Sequence, residues 1–208
     1  MGAVLEMMRL TSTLAAAALF LSACGQEGGD PMRYISGIGS DTLRETPGVQ
    51  LTNQELAALP KLAVSLPDRG ATATLIPIQT SGDRVTWLTR DQSTVTLRAG
   101  ILTATRGLGD DMMSAESARV LSALRSGQAA SYDRIYAFLD GENQTVFRAF
   151  ACEMRPEGMD GSLRRTSETC NSLNLQIRNT YWRNGSGRVV RSVQWVSDGV
   201  GYADLREL

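Results

Sequence analysis

Apolar residues change their pattern along the chain, and each pattern predicts an element. A predominantly apolar run, Leu10 to Leu21, follows Arg9 and ends in the small residues Ser22 and Ala23. It is too short to span a bilayer and has the layout of a secretory signal peptide. Further on, alternation takes over. Thr72, Thr74, Ile76 and Ile78 share one face of an extended segment from Ala71 to Gln79. Ser81-Gly82-Asp83 turns, and Val85, Trp87 and Thr89 resume the alternation. Ser93 to Ala99 alternates around Val95 and Leu97, Gly100 offers a bend, and Ile101 to Thr105 is another strand. Period-two patterning with close turns predicts an antiparallel meander.

Two stretches follow a helical pattern instead. Thr52-Asn53-Gln54-Glu55 has the spacing of a capping box and predicts a short helix from Asn53 to about Leu59, stopped by Pro60. From Ser114 to Arg125, the residues Ala115, Ala118, Val120, Leu121 and Leu124 recur at helical intervals, with Ser114 as the predicted cap and Gly127 as the stop. Strands then return. Tyr132–Leu139 and Thr145–Met154 flank the hairpin signal Asp140-Gly141-Glu142-Asn143. Leu173–Trp182 and Arg188–Val196 flank a second signal, Asn184-Gly185-Ser186-Gly187, and Tyr202–Leu205 adds a short terminal strand. The expectation is a single mainly β domain over 46–208, an antiparallel sandwich or half-open barrel with one or two short helices.

Composition narrows the chemistry. The 208 residues include no histidine, which excludes Ser-His-Asp and Cys-His catalysis and imidazole metal sites. Lys61 is the only lysine, so Schiff-base and Ser-Lys chemistry have almost no basis. A net charge of −1 gives no electrostatic case for nucleic acid. These counts lean against an enzyme, and no cofactor or metal is implied.

The leader ends in Leu21-Ser22-Ala23-Cys24, which resembles the bacterial lipoprotein cleavage box. In that class the cysteine carries the lipid and begins the mature chain, so residues 1–23 are the signal peptide and Cys24 is the lipidation site. Several acyl chains on one residue give stable anchoring to the membrane. Met7 and Met8 are alternative starts, because Glu6 is unusual in a positive leader. Gly25-Gln26-Glu27-Gly28-Gly29-Asp30-Pro31 opens a polar, glycine-rich tether assigned to residues 24–45. Gly25 stands where enterobacterial lipoproteins of the inner membrane carry aspartate, so by analogy the destination is the outer membrane, with the domain facing the periplasm.

Three sequence blocks then resemble one family in order. They are Thr46-Pro47-Gly48-Val49-Gln50-Leu51-Thr52, Trp87-Leu88-Thr89-Arg90-Asp91-Gln92, and Gly100-Ile101-Leu102 through Arg106-Gly107-Leu108-Gly109-Asp110-Asp111. With Tyr181-Trp182 and Gly187-Arg188-Val189-Val190-Arg191-Ser192, they resemble the YjbF/GfcB lipoproteins of group 4 capsule or exopolysaccharide production. The resemblance implies a non-catalytic accessory lipoprotein, working beside other polysaccharide-export envelope proteins or on the polymer itself. It supplies no catalytic residues.

Cys152 and Cys170 remain after Cys24, and in an oxidising compartment two cysteines most simply pair. Pro156, Gly158 and Gly161 between them suggest a long mobile loop held by that bridge. Gly107-Leu108-Gly109-Asp110-Asp111 reads as a strand-to-helix turn with acids near a helix dipole. Trp87, Tyr181, Trp182 and Trp195 are candidates for stacking on sugar rings, although aromatics on alternating strands more often fill cores. Trp182 is the best candidate for exposure, since Tyr181 points the other way. Arg178, Arg183, Arg188 and Arg191 cluster on the last hairpin and offer contacts to an acidic glycan, headgroups or a protein partner. Two further readings remain open. One is a half-barrel carrying a lipid or glycan, which calls for an apolar concavity of about 300 Å³ or more. The other is a glycan-cleaving enzyme, which calls for a cleft with two facing carboxylates such as Asp91, Asp133, Asp140 or Glu142.

Overall fold

The computed structural model describes residues 52–208. The leader, Cys24, the tether and the first family-like block up to Leu51 lie outside the described residues. At Thr52 the capping box forms as its spacing predicts. The Thr52 hydroxyl accepts from Glu55 N, and the Glu55 carboxylate accepts from Thr52 N at 2.8 Å. These bonds hold the Glu55 carboxyl below the usual carboxylate range, the backbone N–H of Thr52 foremost. Helix α1 (Asn53–Ala58) buries none of its residues, and Pro60 precedes the first strand.

Twelve antiparallel strands follow in one sheet among the described residues. The first arm is β1 (Leu62–Leu66), β2 (Ala71–Ser81), β3 (Arg84–Leu88), β4 (Thr94–Arg98) and β5 (Ile101–Arg106). The second is β6 (Met112–Ala115), β7 (Ala130–Leu139), β8 (Thr145–Asp160), β9 (Leu163–Asn171), β10 (Gln176–Arg183), β11 (Val189–Ser197) and β12 (Gly201–Glu207). Every consecutive pair within an arm is hydrogen-bonded, and β1 pairs with β12 to join the arms. The spatial order runs from β5 through β1 and β12 to β6, so the chain makes a nearly closed barrel with β5 and β6 at its seam. Mainly β architecture, with two short α-helices among the described residues, is therefore correct, and of the two expected forms the barrel is the one realised.

Side chains replace the missing backbone ladder at the seam. The Thr105 hydroxyl accepts from Met112 N at 3.0 Å and donates to Asp111 at 2.9 Å. On the interior side, Gln194 of β11 acts as a substitute strand edge for β5. Its carbonyl oxygen accepts from Leu102 N and its amide donates to Gly100 O, each at 3.0 Å. Free edge groups of a strand need such partners or water. Gly100 permits this approach, because its φ is +86° and a Cβ there would stand 2.6 Å from Val189 Cβ.

Helix α2 (Ala118–Ser126) starts four residues later than the sequence pattern predicts. Ser114 belongs to β6, and the Ser117 side chain makes no capping bond. The helix N-terminus is satisfied by the Glu116 carboxylate, which accepts from Ala118 N at 2.7 Å and Arg119 N at 3.2 Å. Gly127 ends the helix in the left-handed conformation, as expected. The apolar side of α2, through Val120, Leu121 and Leu124, packs on Ile101, Met154, Tyr181 and Val189.

The predicted mobile loop between the cysteines is instead an extended hairpin. Pro156 and Gly158 lie inside β8 at a register shift, where a strand tolerates a residue without N–H, and Gly161 turns into β9. Cys152 and Cys170 face each other directly across β8 and β9 and are disulfide-bonded.

Candidate functional site

Two interior regions differ in chemistry. Beneath β7–β10, the Glu168 side chain is fully buried and every short contact it makes comes from a donor. Arg134 Nη1, Asn179 Nδ2 and Tyr181 OH each donate to its Oε2 at 2.7 Å, and Tyr132 OH donates to Oε1 at 2.7 Å. Arg134 is also buried and donates through Nε to Glu116 O at 3.1 Å. Burial is the largest single influence and opposes the guanidinium charge, but the Glu168 carboxylate and the Tyr136 and Tyr181 phenols together outweigh it and raise the Arg134 pKa. Burial, reinforced by the Glu168 charge, pushes the Tyr132 and Tyr181 phenols well above their ordinary range. The Asn179 carbonyl takes the Trp195 N–H at 2.8 Å, which ties the network to β11. Cys152, Cys170 and Glu168 come within 4.8 Å of one another. The sulfurs are bonded to each other and the carboxylate is occupied by protein donors, so the cluster presents no thiolate. This region is structural machinery.

The other region, bounded by β1–β5, β11 and β12, leaves a cavity of about 140 Å³. Its floor is apolar, formed by buried Val64, Leu75, Val95, Leu102, Val196 and Ala203. Leu66, Ala71, Thr72, Ala73, Thr89, Asp91, Ser93, Thr105 and Leu108 complete the lining. The tight loop from Thr89 to Ser93 brings Asp91 there, with Gln92 at φ +66°. Asp91 accepts from the Thr89 hydroxyl, which leads the bonds that hold its carboxyl below the usual range. The Ser93 hydroxyl donates to Gly107 O at 3.2 Å. Gly107 is fixed by this contact, since φ is +83° and a Cβ would meet Ser93 Oγ at 2.9 Å. Asp111 accepts from Gly107 N at 2.8 Å and Leu108 N at 3.1 Å, and Asp110 accepts from Gly199 N at 2.8 Å. The two acids therefore shape the β5–β6 connection and dock it on the β11–β12 turn. They serve no helix dipole, because β6 separates them from α2.

The blocks around Trp87–Gln92, Gly100–Leu102 and Arg106–Asp111 thus converge on this cavity, contributing Thr89, Asp91, Leu102 and Leu108 to its lining. At 140 Å³ it falls below the size expected of a lipid carrier. Its lining contains one carboxylate, whereas glycoside hydrolysis uses two. Asp140, another acid considered for that role, accepts from Glu142 N and Gln144 N, both at 2.9 Å, and so builds the β7–β8 turn.

The candidate contact residues on the last hairpin separate. Tyr181 does point opposite to Trp182, but Trp182 is only 8% exposed. Its direct cross-strand neighbours Arg165 and Arg191 share its face and stack over the ring at 5.9 and 4.5 Å. Asp160 accepts its indole N–H at 2.8 Å. The expected exposed stacking platform is therefore already covered by arginine. Arg183 is buried too, donating to Leu124 O at the end of α2, and burial lowers its pKa. Arg191 pairs with Asp204 at 2.7 Å. Arg188 stays exposed and pairs with Glu207 at 2.7 Å. It lines an open groove of about 410 Å³ with Lys61, Trp87, Val190 and Glu207. Trp195 and Tyr136 lie in the aromatic core, their ring centroids 5.3 Å apart and edge-on. Sequence reasoning missed Lys61 as a groove residue and the whole Glu168 network.

Residues 27–208 match the family described as group 4 capsule polysaccharide lipoprotein, YjbF. Among solved structures, the chain is similar to the hypothetical lipoprotein YmcC from Escherichia coli (K12), with 16% identity and a TM-score of 0.62. That match covers 73% of this chain and 84% of the other, and at this identity the shared feature is the fold. A comparison with curated proteins gives no match. The chain, whose described residues form a nearly closed twelve-strand barrel and which matches over residues 27–208, belongs to the YjbF family of group 4 capsule polysaccharide lipoproteins.

Proposed function

We propose that the protein is a non-catalytic accessory lipoprotein of exopolysaccharide or capsule production and secretion. Cys24 carries the lipid, the outer membrane holds the anchor, and the barrel faces the periplasm. The observation that carries this reading is the family match over residues 27–208. The barrel's interior chemistry supports it. The buried acid and base neutralise each other, and the cavity lining has a single carboxylate. The role is to hold another export component or the nascent polymer near the membrane. Arg188, with Lys61 beside it in the open groove, is the contact that best suits an acidic glycan.

Crosslinking the lipidated protein in intact envelopes, followed by capture and identification of its partners, tests the proposal. Recovery of polysaccharide-export components, or of the polymer, is the expected result. Recovery of neither, together with glycan degradation by the pure protein, would overturn it.

A further inference from the structure

We infer that the cavity beneath the Thr89–Ser93 loop is a binding site for the end of an alkyl or acyl chain about six carbons long. Three observations carry this. The floor is wholly aliphatic, from Val64, Leu75, Val95, Leu102, Val196 and Ala203. The volume of about 140 Å³ is close to that of an apolar cavity of roughly 150 Å³ that stays dry and takes benzene. The hydroxyls of the lining, apart from that of the exposed Thr72, are already engaged within the protein. Thr89 and Ser93 bond to Asp91 and to backbone carbonyls, and Thr105 bonds to Asp111 and Met112 N. A sugar hydroxyl entering there would lose its water and find few free partners, whereas a chain end asks for none. The Asp91 carboxylate, held ionised by its hydrogen bonds, repels an anionic head from the mouth. The cavity is too small to enclose a whole lipid, so the site grips a chain end while the rest stays outside.

The source of the chain is either the protein's own anchor or a separate amphiphile, and the two are distinguishable. The inference is independent of the polysaccharide role, and its failure leaves the envelope crosslinking result unaffected.

The test is calorimetric titration of the purified full-length Cys24→Ser chain with 1-butanol through 1-octanol. Affinity should rise about fourfold per methylene and level off near six carbons. Ala203→Leu, which fills the floor, should remove saturable binding. Val64→Ala, which enlarges it, should move the plateau to longer alkanols, so the proposal stays testable if one variant fails to fold. No saturable binding, or a series unchanged in a folded variant, overturns the site. Lipidated chain from envelopes that refuses hexanol, while Cys24→Ser accepts it, identifies the anchor's own acyl chain as occupant. Equal uptake by both identifies a separate amphiphile.

Discussion

The two halves of the barrel interior solve the same packing problem with opposite chemistry. Under β7–β10 the space is filled by an ion pair, two phenols and an amide that satisfy one another, and α2 packs over them. Under β1–β5 the floor is aliphatic and a void remains. A polar network admits little adjustment, because removing one member strands the others in a low-dielectric interior. An apolar void tolerates changes in volume. The comparison teaches that rigidity and adaptability are segregated to different arcs of one sheet.

The sharpest way to break this comparison is Glu168→Ala. It leaves Arg134, at 1% side-chain exposure, with an uncompensated charge, and urea unfolding should show a loss of about 3–5 kcal/mol. Tyr132→Phe removes one of the four donors and leaves the ion pair intact, so it should cost only about 1 kcal/mol. Equal costs for the two variants would show that the charge is not the core of the network.

Opening the disulfide should come next. Cys152→Ala with Cys170→Ala releases an 18-residue constraint beside the same network and should lower stability by about 3 kcal/mol in the chain-entropy model. An unchanged urea midpoint under oxidising conditions would count against the bridge as a staple.

These features were unequally legible in the sequence. β3, β4 and the two later hairpins follow alternation and turn signals, because their buried positions are mostly apolar. In β2, by contrast, the buried residue is Leu75, on the face opposite Thr72, Thr74 and Ile76, and β5 is buried at Ile101, Leu102 and Thr103 in succession. β9 escaped that logic. Of its inward positions, Glu168 serves the polar network, Cys170 is spent on the disulfide and Thr166 is a buried hydroxyl, so no hydrophobic pattern marks the strand. β1 is five residues between Pro60 and Pro67, and β6 is four, too short for periodicity to stand out. The α2 start was displaced because Ser114 has the chemistry of a cap, yet Met112 N pairs with Thr105 and commits that stretch to a strand. The cavity was not legible at all. It depends on how two distant arms of the sheet curve together, and only its lining residues in the family-like blocks hinted at a shared location.

Alkaline titration sharpens the contrast from the polar side. Burial raises the Tyr132, Tyr136 and Tyr181 pKa values in the folded state, while unfolded tyrosine titrates near 10. The stabilisation is therefore fully present below about pH 10. It is lost as pH rises further, by roughly 4 kcal/mol per pH unit for the three phenols together. Urea midpoints measured between pH 8 and 11 check this, and Tyr136→Phe should cut the slope by about a third. A flat profile would mean that the phenols reach solvent.

The smallest effect is the most discriminating, because it adds the same atoms to each half. Ala203→Leu places three extra carbons against the cavity, while Ala123→Leu places them on α2, where Ala123 is 6% exposed against a filled interface. Overpacking a filled site costs about 1–3 kcal/mol through off-rotamer side chains and backbone shifts. Filling a void instead gains about 0.8 kcal/mol per buried methylene, offset by whatever strain the fit imposes. The unligated Ala203→Leu protein should therefore match or slightly exceed the parent in thermal midpoint, and Ala123→Leu should fall several degrees below it. If both variants lose stability equally, the cavity region is as tightly packed as the network, and the two halves of the interior are physically alike.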